Sequence, residues 1–255
     1  MPNLSGKVAI VTGSASGIGA ATIVRLREDG ATVIGTDIQE TLGQQVAKDA
    51  GAKFIVQDVS NADRWIEIAD QVKAEWGRLD ILVNNAGVTT GKSIEDIDLA
   101  TWDQVLGINL TGVMLGCKNA IRVMKTNPGG SCGAIINVAS TTAYTPLPTD
   151  VDYSAAKSGV RILSKSVATH CAQQGYNIRC NTIIPGATDT AIIAAMDNVD
   201  PELRDRVAAT SPLNRLADPT EIAAAIAFCA SDECPFMTGA DMMVDGAALA
   251  IHPGF

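Results

Sequence analysis

The strongest constraint on the fold is a repeated alternation of a short β-branched run, a turn and an amphipathic helical stretch. This alternation is typical of βαβ units, which build a parallel sheet with helices on both faces. Seven strands are predicted, at residues 7–12, 31–36, 52–57, 80–84, 133–139, 177–184 and 241–244. Helices are predicted at about 18–29, 40–49, 61–76, 101–125, 153–174 and 219–230. The pattern therefore predicts an α/β chain with a doubly wound, seven-stranded parallel sheet.

The alternation runs through the whole chain without a linker, an internal repeat or an abrupt change of charge. We therefore expect one domain over residues 1–255 rather than two small ones. The irregular stretch at 185–218 contains Pro185, Pro201 and Pro212 and is long for a simple connection. Its length predicts a lid over a substrate, at about 187–217.

Charge and hydropathy exclude several classes of partner. The net charge is −9, whereas nucleic-acid binders concentrate Lys and Arg on one face, so no nucleic-acid ligand is expected. No apolar run approaches the roughly 18 residues of a membrane span, and the amino terminus lacks a signal-peptide core, so we expect a cytoplasmic protein without a membrane partner. Six cysteines without Cys-x-x-Cys spacing and only two histidines predict no metal site.

A glycine-rich turn follows the first predicted strand. Thr12 to Gly19 reads Thr-Gly-Ser-Ala-Ser-Gly-Ile-Gly and is followed by a helical pattern. Glycines let a pyrophosphate approach the backbone, and the helix amino terminus offers unsatisfied N–H groups to phosphates. The bare spacing also occurs by chance in ordinary tight turns, so its position at the first strand–helix junction carries the prediction. Dinucleotide contacts are predicted at Gly13, Ser16, Gly17, Ile18 and Gly19.

Asp37 ends the second predicted strand, 18 residues after Gly19. A carboxylate there can accept both hydroxyls of the adenosine ribose and would repel a 2′-phosphate. Neighbouring residues such as Ala15 and Ile38 offer no positive charge. An aspartate at a strand end can also be a simple turn former. Its register with the glycine turn predicts NAD rather than NADP as the cofactor.

Tyr153 and Lys157 stand four residues apart in a helical pattern and therefore share one helix face. A tyrosine normally loses its proton near pH 10, but an adjacent ammonium and an oxidised nicotinamide both favour the phenolate. Ser140, 13 residues upstream, lies at the carboxyl end of the fifth strand, where ligands bind in open α/β sheets. Taken singly, the pair could be an exposed helix pair and Ser140 a turn serine. Together they predict an acid–base group beside a substrate oxygen.

Asn109 lies inside a predicted helix, where asparagine is unfavourable unless its side chain bonds elsewhere. The alternative is an amide bonded to its own turn. Position along the chain leaves both interpretations open.

These motifs together resemble the short-chain dehydrogenase/reductase family over nearly the whole chain, and the chain looks most like bacterial secondary-alcohol and hydroxysteroid dehydrogenases. The matching segments, in the family's order, are Thr12-Gly13-x-x-x-Gly17-x-Gly19, Asp58-Val59, Asn84-Asn85-Ala86-Gly87, Asn109, Ser140, Tyr153-x-x-x-Lys157, Asn181 and Pro185-Gly186. The resemblance implies a Rossmann-type fold and a nicotinamide cofactor. It also implies a homotetramer that joins through the helices at 101–125 and 153–174 and the terminal residues 251–255.

Roles follow from the resemblance residue by residue. Tyr153 is implied as the acid–base, Ser140 as the group that binds the substrate oxygen, Lys157 as a ribose ligand that lowers the tyrosine pKa, and Asn109 as the holder of a water. The implied cofactor contacts are Asp58, Val59, Asn85, Ala86, Gly87, Tyr153, Lys157, Pro185, Gly186, Thr188 and Thr190. The family often has an aliphatic residue where Thr188 stands.

We expect hydride transfer between NAD(H) and a small-molecule substrate, a neutral, largely apolar secondary alcohol or ketone of cyclic, aryl or steroid-like shape. Its predicted pocket walls are Thr142, Tyr144, Leu147, Ala187, Ile192 and Met196, which ordinary packing would explain equally well. Two alternatives stay open: an NADPH-dependent ketoreductase of acyl-thioesters, and a nucleotide-binding protein without catalysis.

Overall fold

The computed structural model describes residues 2–190, 193 and 202–250. Seven parallel strands form one sheet in the order β3-β2-β1-β4-β5-β6-β7. The strands are β1 Val8–Thr12, β2 Thr32–Asp37, β3 Lys53–Val56, β4 Ile81–Asn84, β5 Cys132–Val138, β6 Asn177–Pro185 and β7 Asp241–Val244. The predicted α/β fold of the Rossmann type, with a seven-stranded parallel sheet, is confirmed.

The helices are α1 Gly17–Glu28, α2 Glu40–Ala50, α3 Ala62–Trp76, α4 Leu99–Leu106, α5 Gly112–Met124, α6 Val151–Gln173, α7 Leu203–Ala208 and α8 Pro219–Ala230. Two differences from the sequence prediction appear. The predicted helix 101–125 is interrupted by one π-helical turn at Gly107–Thr111, and the irregular stretch contains the short helix α7. Of the predicted lid, residues 191, 192 and 194–201 lie outside the described ranges.

Both faces of the sheet are buried. On one face, Trp65 and Ile68 of α3 and Met124 of α5 pack against β1, β2, β4 and β5. On the other face, Leu26 of α1 and Ile226 of α8 cover the same sheet. Strands covered on two sides must be apolar at nearly every position, which explains the continuous β-branched runs in the sequence.

Helix ends follow the expected chemistry. Asn61 and Asp98 begin α3 and α4 by accepting backbone N–H groups at 3.0 and 2.8 Å. Gly51 and Gly77 end α2 and α3 in the left-handed conformation, at φ +67° and +74°. These caps fix where each helix starts and stops.

The strand order reverses between β1 and β4, because β1 pairs with β2 on one side and with β4 on the other. Loops that follow β1 and β4 leave in different directions at this point and open a crevice at the carboxyl edge of the sheet. The glycine turn after β1 and the Asn-Asn-Ala-Gly segment after β4 meet there. This crevice is the place where the candidate residues assemble.

Candidate active site

The glycine turn after β1 leaves no room for side chains. Gly13 has φ +66°, and a Cβ built on it would lie 2.8 Å from the Cα of Ala86. A Cβ on Gly19 would lie 2.0 Å from the carbonyl oxygen of Gly13. Any side chain at these positions would push the turn away from the loop after β4, so glycine is required for the close approach.

The amino terminus of α1 is open to an anion. Ser16 is the capping residue, but its side chain makes no capping hydrogen bond, and no acidic residue occupies the first turn. The first N–H groups of α1 therefore keep their positive potential toward the crevice, which suits a pyrophosphate. A methyl group of Thr190, from the loop after β6, lies 3.0 Å from the position of a Cβ on Gly17. The geometry of this cradle fits a dinucleotide.

Asp37 stands at the end of β2 beside the glycine turn. Its carboxylate accepts the backbone N–H of Ala15 at 3.0 Å and that of Gln39 at 2.9 Å. These two bonds orient the carboxylate while leaving the side chain half-exposed. Ile38 beside it is 69% exposed, which leaves an apolar surface at the crevice edge.

Asp58 and Val59 follow β3 at the next position along the same edge. Asp58 is exposed, and its carboxylate accepts the backbone N–H and the hydroxyl of Ser60 at 2.9 and 2.7 Å. Val59 is buried, and its carbonyl accepts the indole N–H of Trp65 at 2.8 Å. The pair forms a rigid corner between β3 and α3.

Thr12 and Asn85 join the ends of β1 and β4. The Thr12 hydroxyl accepts the N–H groups of Asn85 and Ala86, both at 3.0 Å. The Asn85 amide donates to the carbonyls of Thr12 and Gly13 at 3.0 and 3.2 Å. Since these contacts tie the glycine turn to the loop after β4, Asn85 and Ala86 build the floor of the crevice.

A buried polar network supports this floor from below. Asn84 donates to the Asn137 side-chain oxygen at 2.8 Å, and Asn137 donates to the Ser164 hydroxyl at 2.9 Å. All three side chains are buried, so the bonds link β4, β5 and α6 inside the core.

Asn109 lies in the π-helical turn and is fully buried. Its amide bonds both backbone groups of Val88: it accepts the N–H at 2.9 Å and donates to the carbonyl at 2.8 Å. The side chain therefore bonds the loop after β4 rather than its own turn. At Gly87 a Cβ would lie 3.3 Å from the Asn109 amide oxygen and 3.4 Å from the Lys157 Nζ, which places Asn109 and Lys157 around one glycine.

Ser140, Tyr153 and Lys157 come together at the end of β5. The Ser140 hydroxyl accepts the N–H of Thr142 at 3.2 Å and lies close to the Tyr153 phenol. Lys157 lies one turn further along α6, with its Nζ 5.5 Å from the centre of the Tyr153 ring. The ammonium donates to the Val138 carbonyl at 2.9 Å and is 3% exposed.

Burial shifts the pKa values of the two titrating groups in opposite directions. It raises the pKa of Tyr153 to about 12; the hydrogen bond with Ser140 opposes this rise and the negative charge of Asp150 adds to it. Burial lowers the pKa of Lys157 to about 8. The phenol is therefore neutral here, and no lowering of its pKa by Lys157 is seen in this geometry. A bound positive charge is needed to favour the phenolate.

The loop after β6 completes the crevice. Gly186, directly after Pro185, donates its N–H to the Val244 carbonyl at 3.0 Å, and a Cβ there would lie 2.8 Å from the Cα of Asp245. Thr188 is buried, and its hydroxyl donates to the Gly186 carbonyl at 3.0 Å. Thr188 thus shapes the backbone of this loop.

The sequence of this chain is similar to those of known dehydrogenases and reductases. The family model described as enoyl-(acyl carrier protein) reductase matches residues 13–247. Cis-4-hydroxycyclohexanecarboxylate dehydrogenase of Sinomonas cyclohexanicum is 42% identical over 250 residues, which cover 96% of this chain and 97% of that protein. The chain belongs to the short-chain dehydrogenase/reductase family.

Two further similarities support the membership. The NADP-dependent (R)-specific alcohol dehydrogenase of Lentilactobacillus kefiri is 36% identical over 251 residues, 97% of this chain and 98% of that one. The crystal structure of gox2181 superposes with a TM-score of 0.91 at 31% identity and covers 98% of both chains. This short-chain dehydrogenase is therefore an oxidoreductase that uses NAD or NADP and acts on a small molecule. Within the described ranges, no helix has the length and apolarity needed to cross a membrane.

The predicted pocket walls of this short-chain dehydrogenase divide into three groups. Ile192 and Met196 lie outside the described residues. Tyr144 does not serve as a free wall, because its hydroxyl bonds Asp241 at 2.7 Å and the guanidinium of Arg161 stacks 4.1 Å from its ring centre. Thr142, Leu147 and Ala187 lie on segments next to Ser140, Tyr153 and Gly186.

A cavity of about 300 Å³ lies between the loop after β6 and the end of β7. Its lining residues include Ala187, Leu213, Met243 and the ion-paired Arg215. Ser140, Tyr153 and Lys157 do not line it. This cavity is therefore separate from the group formed by Ser140, Tyr153 and Lys157.

Sequence reasoning missed four side chains that contact the site. Asp150 and Asp152 flank Tyr153 and bond Thr89 and Thr90 on the loop after β4. An acidic residue just before a helix predicts a cap, but the Asp150 side chain makes no capping bond in α6. The partners of Asp150 become visible only in the folded structure, where the loop after β4 lies against the start of α6.

Proposed function

We propose that this enzyme transfers a hydride between NAD(H) and a neutral, largely apolar secondary alcohol or ketone of cyclic, aryl or steroid-like shape. The observation that carries the proposal is the close approach of Ser140 to the Tyr153 phenol, with Lys157 one helical turn away, beside a dinucleotide cradle. A cyclic alcohol is also the substrate named for the Sinomonas relative.

The proposed proton transfer uses three side chains of this chain. The Ser140 hydroxyl holds the substrate oxygen, and Tyr153, as phenolate, takes the proton from the substrate hydroxyl. When bound, oxidised NAD supplies the hydride acceptor at C4 of its nicotinamide, so the carbinol becomes a ketone. Lys157 orients the ribose and adds positive charge beside the phenolate. In the reverse direction the Tyr153 phenol returns its proton to the ketone oxygen.

We propose the same cofactor contacts as the sequence predicts. Phosphates lie on the turn that carries Gly13, Ser16, Gly17, Ile18 and Gly19, and Asp58 and Val59 flank the adenine. Asn85, Ala86 and Gly87 support the ribose on the nicotinamide side, together with Tyr153 and Lys157. The nicotinamide is surrounded by Pro185, Gly186, Thr188 and Thr190. Asn109 keeps the loop after β4 beside Lys157 and holds a water there.

A neutral substrate is supported by the charges near the lid. The relative from Sinomonas is named for a carboxylate substrate, which an arginine would recognise. In this chain Arg204 pairs with Asp189, Arg206 with Glu202 and Arg215 with Glu221. These arginines already have acidic partners, which favours a substrate without a carboxylate.

NAD is preferred over NADP in this proposal because Asp37 occupies the ribose position. Exchange of Asp37 for serine should raise kcat/KM with NADP and lower it with NAD, so that the preference falls by about tenfold or more. Steady-state rates with both cofactors measure this ratio. A wild-type enzyme that already uses NADP as well as NAD would contradict the preference.

The test of the function is a set of alcohols and ketones assayed through NADH absorbance. We expect turnover with cyclic, aryl or steroid secondary alcohols and none when NAD is present without an alcohol. The family model's description favours one alternative, an NADPH-dependent reductase of acyl-thioesters, so a β-ketoacyl thioester with NADPH belongs in the set. Turnover confined to the thioester would overturn the proposal, as would NADH binding without any turnover.

We further propose a cytoplasmic homotetramer, as the family resemblance implies. Apolar side chains on the outer faces of the helices support it: Met114 is 40% and Ile162 is 57% exposed. Sedimentation equilibrium of the purified protein should give a mass four times that of the chain. A monomer at all protein concentrations would contradict this part of the proposal.

A further inference from the structure

Two buried carboxyl groups flank the catalytic tyrosine at the start of α6. Asp150 is 5% exposed and Asp152 is fully buried. Asp150 directly precedes α6, but its side chain makes no capping bond. Acidic residues are rarely buried to this extent unless they are bonded, so their partners define their role.

The partners lie on the loop after β4. The Asp150 carboxylate accepts the Thr89 hydroxyl and the N–H groups of Thr90 and Gly91, the latter two at 3.4 and 3.2 Å. The Asp152 carboxylate accepts the Thr90 hydroxyl at 2.7 Å. Between them, the N–H of Val151 donates to the carbonyl of Lys92 at 3.1 Å. Five hydrogen bonds thus join four loop residues to the first turn of α6.

The same carboxyl groups reach Tyr153. Asp152 accepts the backbone N–H of Tyr153 at 2.7 Å, so it fixes the main chain that carries the phenol. Asp150 and Asp152 also lie within hydrogen-bonding reach of each other. The opposite end of the loop is held by Asn109 through Val88. The loop and the tyrosine are therefore one connected unit.

We propose that Asp150 and Asp152 are positioning residues, which fasten the loop after β4 to the first turn of α6 and thereby hold Tyr153 in place for proton transfer. This inference rests on the proposed function, because it assigns Tyr153 the acid–base role. It adds two residues that the resemblance to the family does not name.

The charge of Asp150 gives the proposal a second consequence. Burial and the neighbouring Asp152 raise the pKa of Asp150, against the effect of its hydrogen bonds to the loop. At pH values above its own pKa, Asp150 is negatively charged and raises the pKa of Tyr153. Of the other charged groups nearby, Lys157 lies one turn further along α6, and the exposed Lys92 acts on Asp98. Tyr153 therefore loses its proton in the presence of a nearby negative charge.

Exchange of Asp150 for asparagine tests both consequences. Asparagine keeps an oxygen for the loop N–H groups but removes the charge. We expect the acid limb of the kcat/KM profile for alcohol oxidation to move down by about one pH unit, the size of effect a single neighbouring charge has on a pKa. The plateau should fall because the link to Thr89 weakens. A loosened fold alone would lower the plateau without moving the limb.

Two further variants complete the experiment. Glu95→Gln removes an exposed charge from the same loop and should leave the profile unchanged. Thr90→Val removes the hydroxyl that Asp152 accepts and no charge, so kcat should fall while the limb stays in place. An unchanged kcat in Thr90→Val would overturn the positioning role, and an unmoved limb in Asp150→Asn, or an equal shift in Glu95→Gln, would overturn the charge effect.

One readout does not depend on turnover. The near-ultraviolet absorbance of tyrosinate, with Tyr153→Phe subtracted, follows the titration of Tyr153 directly. The phenolate should form at lower pH in Asp150→Asn than in the wild type, and equal titrations would overturn the proposal. Wild-type enzyme that turns over no alcohol would instead disprove the proposed function, and this titration would still report on Asp150.

Discussion

Tyr153→Phe should lower kcat by about 10²–10⁴-fold and leave the affinity for NADH nearly unchanged. Phenylalanine keeps the ring beside Lys157 and its packing, so only the hydroxyl close to Ser140 is lost. Removal of that one group deletes the proposed proton acceptor but not the dinucleotide cradle. Initial rates by NADH absorbance and a fluorescence titration with NADH measure the two quantities.

Tyr176→Phe is the matched control for this prediction. Tyr176 makes an edge contact with His170, with ring centroids 6.4 Å apart, and has no part in the crevice. Its exchange removes an equivalent hydroxyl and should leave kcat within a factor of about two. A Tyr153→Phe enzyme that keeps more than about one hundredth of the wild-type kcat would show that another group moves the proton.

Lys157→Met should lower kcat by about 10²–10³-fold, because the charge beside the phenolate and the ribose contact are both lost. The same exchange should leave the folded protein at least as stable at neutral pH. Burial lowers the pKa of Lys157 from 10.5 to about 8, which means that the folded state disfavours its charge. At about 1.4 kcal/mol per pKa unit, the charged lysine costs about 3 kcal/mol at pH 7.

The sign of the pH dependence follows from proton binding. Between pH 8 and 10.5 the unfolded chain holds more protons on Lys157 than the folded protein does, so the free energy of unfolding of the wild type rises with pH. Methionine removes this dependence but leaves the Val138 carbonyl without its donor, which costs about 1–3 kcal/mol.

Denaturant unfolding of both proteins at pH 7 and pH 9.5 checks the prediction. We expect the Lys157→Met variant to be at least as stable as the wild type at pH 7 and its advantage to shrink at pH 9.5. An equal difference in the free energy of unfolding at both pH values would mean that the folded state does not disfavour the charge of Lys157. Surface Lys53→Met is a suitable control, since Lys53 is exposed on the edge strand β3.

Much of the fold could be predicted because buried parallel strands and amphipathic helices follow simple patterns. All seven predicted strands are confirmed within one or two residues, and β7 Asp241–Val244 and α8 Pro219–Ala230 match their predicted bounds. Glycines at predicted helix ends were equally informative, since Gly51 and Gly77 end helices in the left-handed conformation that glycine adopts readily.

What the sequence could not show depends on contacts between distant segments. Nothing around Asp150 in the sequence indicates Thr89, 61 residues away. The predicted effect of Lys157 on Tyr153 depends on how deeply both side chains are buried, and burial raises the tyrosine pKa instead. Tyr144 looked like a pocket wall from its place after Ser140, but Asp241 and Arg161 hold it elsewhere.

The π-helical turn at Gly107–Thr111 has a consequence for how such a chain can change in evolution. A single π turn is equivalent to one inserted residue in an α-helix. Deletion of one residue here would restore a regular helix and rotate α4 by about 100° relative to α5. Asn109 would then no longer face Val88. The extra residue of the π-helical turn therefore determines whether the helix can join the loop after β4 through Asn109.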